Sequence, residues 1–182
     1  MLEIILKLLF FFIILLGNGL IFNHYLSNKN NFNIYEINIY GLIFTGFLSQ
    51  FLIFIFPLKF FFLYINFFLI ILFLYKIKKK NFKRIFDTKL ELIFIILFFL
   101  LCIVQVYASG FSDDLNHYHG SYIGNTDNSN LIIGMNFLHN HFGFSSIWLI
   151  LNSYFNFDGI YLQEIHIFNA IIFFSVISFL IK

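Results

Sequence analysis

Long apolar stretches alternate with short polar ones along the whole chain, and this alternation predicts the architecture. Five stretches approach the roughly 20 apolar residues that a transmembrane helix needs. They cover about residues 2–22, 37–56, 60–76, 90–107 and 160–181. The pattern therefore predicts an all-α polytopic membrane protein, a single membrane domain with about five transmembrane helices.

Glycine and proline add detail to the first three stretches. Pro57 predicts a tight turn, and hence a helical hairpin, because proline disfavours helix at the residue before it. The first stretch lacks a basic start and a small-residue cleavage site, so we expect a retained helix and not a signal peptide. Its Gly17–Gly19 step predicts close packing against another helix. Gly41 and Gly46 do not match the Gly-x-x-x-Gly motif and receive no role.

Composition supports a membrane protein. Hydrophobic residues make up 60% of the 182-residue chain and charged residues 11%, whereas a soluble domain has about 25% charged residues. Only one cysteine is present, Cys102, so an intramolecular disulfide is excluded.

The basic residues predict an orientation. Seven of the eleven lie between Lys76 and Lys89, and basic loops face the cytoplasm. A cytoplasmic loop at 77–89 makes the loop at 108–159 extracytoplasmic, the N-terminus external and the C-terminus internal. Topogenic charge accounts for the basic loop, although a patch that binds anionic lipid headgroups is an alternative. Binding of nucleic acid is not expected.

Residues 107–158 form the one long polar region. They hold four of the nine carboxylates, four of the six histidines and no lysine or arginine, so we expect the chemistry here. Apolar runs within residues 130–157 are too short to span a bilayer. They predict two interfacial or re-entrant helices against the outer leaflet, anchored by Trp148 and Tyr154.

Asp113 and Asp114 are the leading candidates for catalysis or metal binding. Adjacent carboxylates repel each other and are stable in water, beside a cation or beside a hydrogen-bond donor. A solvated turn or a helix N-cap explains them equally well. His117 would share a helix face with both, and His119 follows it.

Carboxylates with imidazoles suit Zn or Mn, whereas carboxylates alone suit Mg or Ca. A divalent cation, Mg or Mn, is the expected cofactor. The alternative is that the histidines are amphipathic residues at the membrane interface. Further candidates to line the same cavity are Tyr118, His139, His141, Glu164 and His166.

Residues 90–160 resemble the N-terminal portion of a largely uncharacterised bacterial family of multi-pass membrane proteins, which is similar to the C-type (GT-C) glycosyltransferases. The resemblance is carried by Asp113-Asp114 with Tyr118-His119, and by the segment Gly134–Leu151. The preceding helices match in layout only. His117 departs from the family pattern, and these enzymes have ten or more spans, about twice the number predicted here.

The resemblance implies sugar transfer from a polyprenyl-phosphate-linked donor, in assembly of an envelope polysaccharide or glycan at the bacterial inner (plasma) membrane. In such enzymes an acid in the first large external loop acts as general base or holds a metal against the donor phosphate, and Asp113 or Asp114 matches it. The rival interpretation is a non-enzymatic multi-pass protein, a transporter or an assembly subunit.

Overall fold

Helices account for all regular structure in the described part of the chain. The computed structural model describes residues 2–26, 34–58, 61–76, 89–108, 120–130, 147–155 and 162–181, and no strand occurs among them. The helices are α1 (Leu2–Leu26), α2 (Ile34–Ile55), α3 (Phe61–Lys76), α4 (Lys89–Ala108), α5 (Gly120–Asn128), α6 (Ile147–Tyr154) and α7 (Leu162–Ile181).

The five long helices, α1 to α4 and α7, coincide with the five predicted apolar stretches. Within the described residues, two segments are long and apolar enough to cross a membrane, Ile4–Tyr25 and Ile34–Ile55. The apolar parts of the other three are shorter: Phe62–Tyr75, Ile95–Ala108 and His166–Leu180. The largest boundary difference from the prediction is at the end of α1, which continues past residue 22 to Leu26 and buries Asn23 in its last turns.

Glycine brings the backbones of α1 and α2 into direct contact. A Cβ atom at Gly19 would lie 1.8 Å from the carbonyl oxygen of Ile37, and one at Gly41 would lie 1.9 Å from that of Leu15. Only hydrogen fits at both positions. The close packing predicted for the Gly17–Gly19 step is confirmed, whereas Gly41 was wrongly given no role.

Gly41 and Gly46 pack against different helices. Five residues turn an α-helix by about 140° past a full rotation, so the two positions face different directions. Gly41 meets α1, and a Cβ at Gly46 would lie 3.0 Å from Cδ1 of Ile147 on α6. A search for one shared glycine face therefore misses both contacts.

The long helices run alternately up and down. The C-terminal ends of α1 and α3 lie together, with the rings of His24 and Phe73 centred 5.5 Å apart. At the opposite end, the backbone N–H of Leu58, in the turn between α2 and α3, donates to the carbonyl of Thr126 on α5 at 2.8 Å. We call this second end, which contains α5 and the α2–α3 turn, the loop end.

Several polar side chains are buried among the apolar core residues, and many large apolar side chains are exposed. Asn18, Thr45 and Ser49 are fully buried. The amide of Asn18 donates to Thr45 Oγ1 at 2.8 Å, and the amide of Asn38 donates to Ser175 Oγ at 2.8 Å. More than half of each side chain is exposed for several large apolar residues: Phe47, Phe51, Phe68, Leu101, Val104 and Leu180.

The short helix α6 lies inside the bundle. Ile147 meets Gly46, which is nine residues before the end of α2 and so roughly 13 Å from it along the helix axis. The ring of Phe155, which directly follows α6, lies 4.7 Å from that of Phe11 on α1 and 5.3 Å from that of Phe168 on α7. α6 is therefore surrounded by long helices.

This position corrects one expectation about the surface. Tyr154 was predicted to anchor a helix at the membrane interface, but it is 1% exposed. Its hydroxyl accepts a hydrogen bond from the amide of Asn66 on α3. Trp148 is half-buried. Of the two predicted helices between residues 130 and 157, the second corresponds to α6, which is buried against other helices; the segment 131–146 lies outside the described residues.

Candidate functional site

Three polar side chains attach α6 to three other helices near the loop end. The indole N–H of Trp148 donates to Asn169 Oδ1 on α7 at 2.7 Å. Ser153 shares a short hydrogen bond with Thr126 on α5. Tyr154 accepts from Asn66 on α3 at 3.0 Å.

The sequence of α6 explains why one short helix can do this. Successive residues of an α-helix point about 100° apart, so Trp148, Ser153 and Tyr154 face three different directions. Leu149, Ile150 and Leu151 are buried as well. All of the residues from 149 to 155 are buried, so polar groups within them need partners from neighbouring helices.

The α5 helix adds a buried hydroxyl group to the site. Thr126 donates locally to the carbonyl of Ile123 and contacts Ser153. One turn earlier, the hydroxyl of Tyr122 is buried and has no hydrogen-bond partner among the described residues. Burial raises the pKa of Tyr122 above its ordinary value of 10.0, so this hydroxyl keeps its proton at neutral pH and can donate.

Two more buried polar atoms, one on α6 and one on α7, have no hydrogen-bond partner among the described residues. Asn152 donates from Nδ2 to the carbonyl of Trp148 at 2.8 Å, but its Oδ1 has no partner within the described part of the chain. Nε2 of His166 is likewise buried without one. Asn169, which bonds Trp148, lies three residues after His166 and so on the same side of α7.

Most of the residues predicted from sequence lie outside the described residues. This holds for both candidate acids and for six further candidates: Asp113, Asp114, His117, Tyr118, His119, His139 and His141 in the loop, together with the side chain of Glu164. For Glu164 the structure describes only the backbone, which lies in the first turn of α7. His166 is the candidate whose side chain is described.

The predicted acidic segment directly precedes helix α5 in the sequence. Residue 119 is followed directly by Gly120, the buried first residue of α5, and α5 lies against α6 at the loop end. The donors proposed for a divalent cation lie outside the described residues. Among the side chains that are described, no group of three or more His, Cys, Asp or Glu could hold a metal ion.

Sequence reasoning missed the polar contacts that hold α6. Asn66 and Tyr154 are 88 residues apart, and Thr126 and Ser153 are 27 apart. Their one signal was a polar residue inside an apolar stretch, such as Asn66. Nothing in the spacing indicates which distant residue it meets.

A small cleft between α1, α4 and α7 has only apolar character. Its lining includes Cys102, whose thiol donates to the carbonyl of Ala170 at 3.3 Å. Polar groups are needed to orient a ligand, so this cleft is a poorer candidate than the loop end. It is lined by Leu8, Phe12, Phe99, Cys102, Ala170, Ile171 and Phe174.

The chain belongs to the DUF8201 family, described as a domain of unknown function, whose match covers residues 1–182. Comparison with curated proteins gave no match, and comparison with solved structures gave none.

Proposed function

We propose that the chain is an integral membrane protein in which α1, α2, α3, α4 and α7 each cross the bilayer. The main support is the large number of exposed apolar side chains, together with polar side chains buried between helices. Side chains such as Phe47 and Val104 are mostly exposed, whereas Asn18 and Thr45 are fully buried. A membrane accounts for this, because lipid solvates apolar surface and polar side chains are used between helices.

The proposed topology sets the loop end outside the cytoplasm. Basic residues between Lys76 and Lys89 follow α3, and the start of that loop adjoins the end of the bundle where α1 and α3 finish. The positive-inside rule assigns this end to the cytoplasm. The acidic segment and α5 then belong to the opposite face.

A labelling experiment tests this topology. Lys80→Cys and Asp127→Cys, each introduced into a Cys102→Ser background, are treated in intact cells with a membrane-impermeant maleimide. We expect labelling at position 127 in intact cells and at position 80 only after lysis. Labelling of both positions from the same side would contradict the topology.

The proposed activity is transfer of a sugar from a polyprenyl-phosphate-linked donor to an acceptor hydroxyl at the outer face of a bacterial plasma membrane. Its support is the sequence resemblance of residues 90–160 to C-type glycosyltransferases. Asp114, with Asp113 beside it, would accept the proton of the acceptor hydroxyl as general base. The hydroxyl oxygen then bonds to the sugar, and polyprenyl phosphate leaves.

A positive partner for the phosphate is needed, and residues 107–158 contain no lysine or arginine. We propose that Asp113, Asp114, His117 and His119 hold a divalent cation, Mg or Mn, which supplies that charge. Tyr118, His139, His141, Glu164 and His166 would line the same cavity. The resemblance reaches the N-terminal portion of such enzymes, so activity belongs to the full-length protein.

Transfer from radiolabelled polyprenyl-phosphate hexoses and pentoses, assayed with the full-length protein in lipid vesicles, tests the proposal. Asp113→Asn and Asp114→Asn should lower the rate, and loss of the general base should cost about 10²- to 10⁴-fold. Asp127→Asn, a carboxylate of the same loop located on α5, is the matched control and should keep the rate. Undiminished transfer by the Asp113→Asn/Asp114→Asn double variant would refute a catalytic role.

A non-enzymatic transporter or assembly subunit is the second candidate. It is favoured by the short, buried helix α6, because such a helix at membrane depth is tolerated where it is buried in protein or lines a cavity. Under this proposal no lipid-linked sugar is consumed by the full-length protein.

A further inference from the structure

Two buried polar atoms without partners, one on α6 and one on α7, lie near a single hydrogen bond between these helices. That bond joins Trp148 Nε1 to Asn169 Oδ1 at 2.7 Å. Asn152 lies one helical turn after Trp148, and His166 lies about one turn before Asn169. Oδ1 of Asn152 and Nε2 of His166 are both buried, and neither has a partner among the described residues.

Asn152 is the stronger indicator of a bound group. Its side chain is 4% exposed, and its amide nitrogen is held by the carbonyl of Trp148 at 2.8 Å. That bond fixes the carboxamide orientation, and it leaves Oδ1 to accept a hydrogen bond from another donor. Buried polar atoms in folded proteins are almost always paired with protein, water or ligand.

We propose that Asn152 and His166 form a binding site for a neutral ligand that carries hydroxyl groups, located between α6 and α7 beside Trp148. A carboxamide oxygen only accepts hydrogen bonds, whereas an imidazole nitrogen accepts or donates according to its tautomer. A hydroxyl group both donates and accepts, so it satisfies either atom.

The surrounding side chains favour a neutral ligand over an ion. Neither α6 nor the described side chains of α7, from His166 to Leu180, include a charged lysine, arginine, aspartate or glutamate. A phosphate or an ammonium group would therefore find no counter-charge among these side chains, which is costly. Hydroxyl groups require only the hydrogen bonds that these two residues offer.

The proposal shares His166 with the cavity proposed for sugar transfer, but it does not depend on that reaction. It concerns binding by α6 and α7, and it does not use Asp113, Asp114 or a metal ion. A protein that binds hydroxylated ligands without transferring them would satisfy it, and loss of transfer in the aspartate variants would leave it unchanged.

Trp148 provides the assay, because it is the only tryptophan of the chain and its hydrogen bond to Asn169 lies about one helical turn from each of the two residues. Methyl α-D-glucoside is titrated into the full chain in phosphatidylcholine nanodiscs while tryptophan emission is followed. We expect a saturable change in emission. Sodium phosphate at matched ionic strength should give no saturable change.

Variants of Asn152 and His166 test whether the change in tryptophan emission comes from ligand bound at these two residues. Asn152→Leu should weaken the glucoside affinity about tenfold or more, the effect of losing one well-formed hydrogen bond in a buried site. His166→Phe keeps a ring and removes the nitrogens, so it should also weaken binding while being less disruptive to packing. Asn128→Leu is the matched control: Asn128 is exposed on α5 and donates to the carbonyl of Gly124.

Each outcome decides the proposal. Saturable binding that is lost in His166→Phe and kept in Asn128→Leu supports it, whether or not Asn152→Leu folds. A linear response, equal affinity in His166→Phe and the unaltered protein, or saturation by phosphate would overturn it. In the first two cases ordered water remains the simplest partner of both atoms.

Discussion

Replacement of Gly41 by alanine tests how strongly the α1–α2 crossing stabilises the protein. A Cβ at Gly41 would lie 1.9 Å from the carbonyl oxygen of Leu15, whereas carbon and carbonyl oxygen ordinarily approach to about 3.3 Å. The obstacle is backbone, which cannot rotate away as a side chain can. The two helices must therefore separate by about 1.4 Å at this point.

The cost follows from that separation. Forcing an extra carbon into a well-packed contact costs about 1–3 kcal/mol. The hydrogen bond from Asn18 to Thr45, 2.8 Å long in the same crossing, would stretch beyond bonding distance, and such bonds between membrane helices average about 0.6 kcal/mol. Against this, alanine is more favourable than glycine in a helix interior by about 0.8–1 kcal/mol. We expect Gly41→Ala to destabilise the protein by about 2 kcal/mol.

Gly46→Ala is the matched control on the same helix. Its Cβ would lie 3.0 Å from Cδ1 of Ile147, the mobile end of a side chain, so a small rotamer adjustment relieves the contact. The gain in helix propensity should nearly cancel the cost, leaving stability within about 1 kcal/mol of the original protein.

Thermal unfolding in detergent micelles, followed by circular dichroism, measures both variants. A loss of about 2 kcal/mol corresponds to a decrease in Tm of roughly 4–8 °C for a chain of this size. If Gly41→Ala is as stable as the original protein, or if Gly46→Ala is the more damaging, the direct backbone contact between α1 and α2 is refuted.

Two further predictions concern the attachment of α6. Asn66→Leu and Tyr154→Phe each leave a buried partner unpaired, which costs about 1–3 kcal/mol; the double variant should lose less than the sum, and strict additivity in a double-mutant cycle would show that the two side chains do not interact. Thr126→Cys with Ser153→Cys, in a Cys102→Ser background, should form a disulfide on mild oxidation, because the two hydroxyl groups are in contact. A non-reducing gel detects it, with the Thr126→Cys single variant as control; no intramolecular cross-link would exclude the α5–α6 contact.

The long helices could be predicted from sequence because their signal is local. A run of about 20 apolar residues defines a span without reference to any other part of the chain. Each predicted stretch accordingly matches a helix to within a few residues, and the largest difference is the extension of α1 to Leu26. Asn23 did not interrupt α1, because one polar residue near a helix end is readily paired or solvated.

The depth of α6 could not be predicted, because its composition suits two environments. Apolar residues at 149–151 followed by Asn152, Ser153 and Tyr154 are as compatible with a membrane surface as with an interior. Partners on α3 and α5 allow the polar residues to be buried, and those partners lie far away in the sequence. The α5 helix has a low mean hydropathy, so its sequence carried no span signal.

Candidate residues for chemistry were predicted from residue type alone. Such reasoning selected His166, which the fold brings beside the Trp148–Asn169 bond. It did not select Asn152, whose importance depends on a buried oxygen without a partner. Asp113 and Asp114 stay predictions, because they lie outside the described residues.

The hydrogen bond between Asn38 and Ser175 has a consequence for synthesis. These residues are 137 positions apart, and ribosomes add about 5–20 residues per second. The amide of Asn38 is therefore made roughly 7–27 s before its partner exists. The glycine crossing of α1 and α2 can form within that interval, but this amide must wait without its Ser175 partner. A nascent chain arrested before α7 would keep that defect, which gives cellular quality control a specific group to detect.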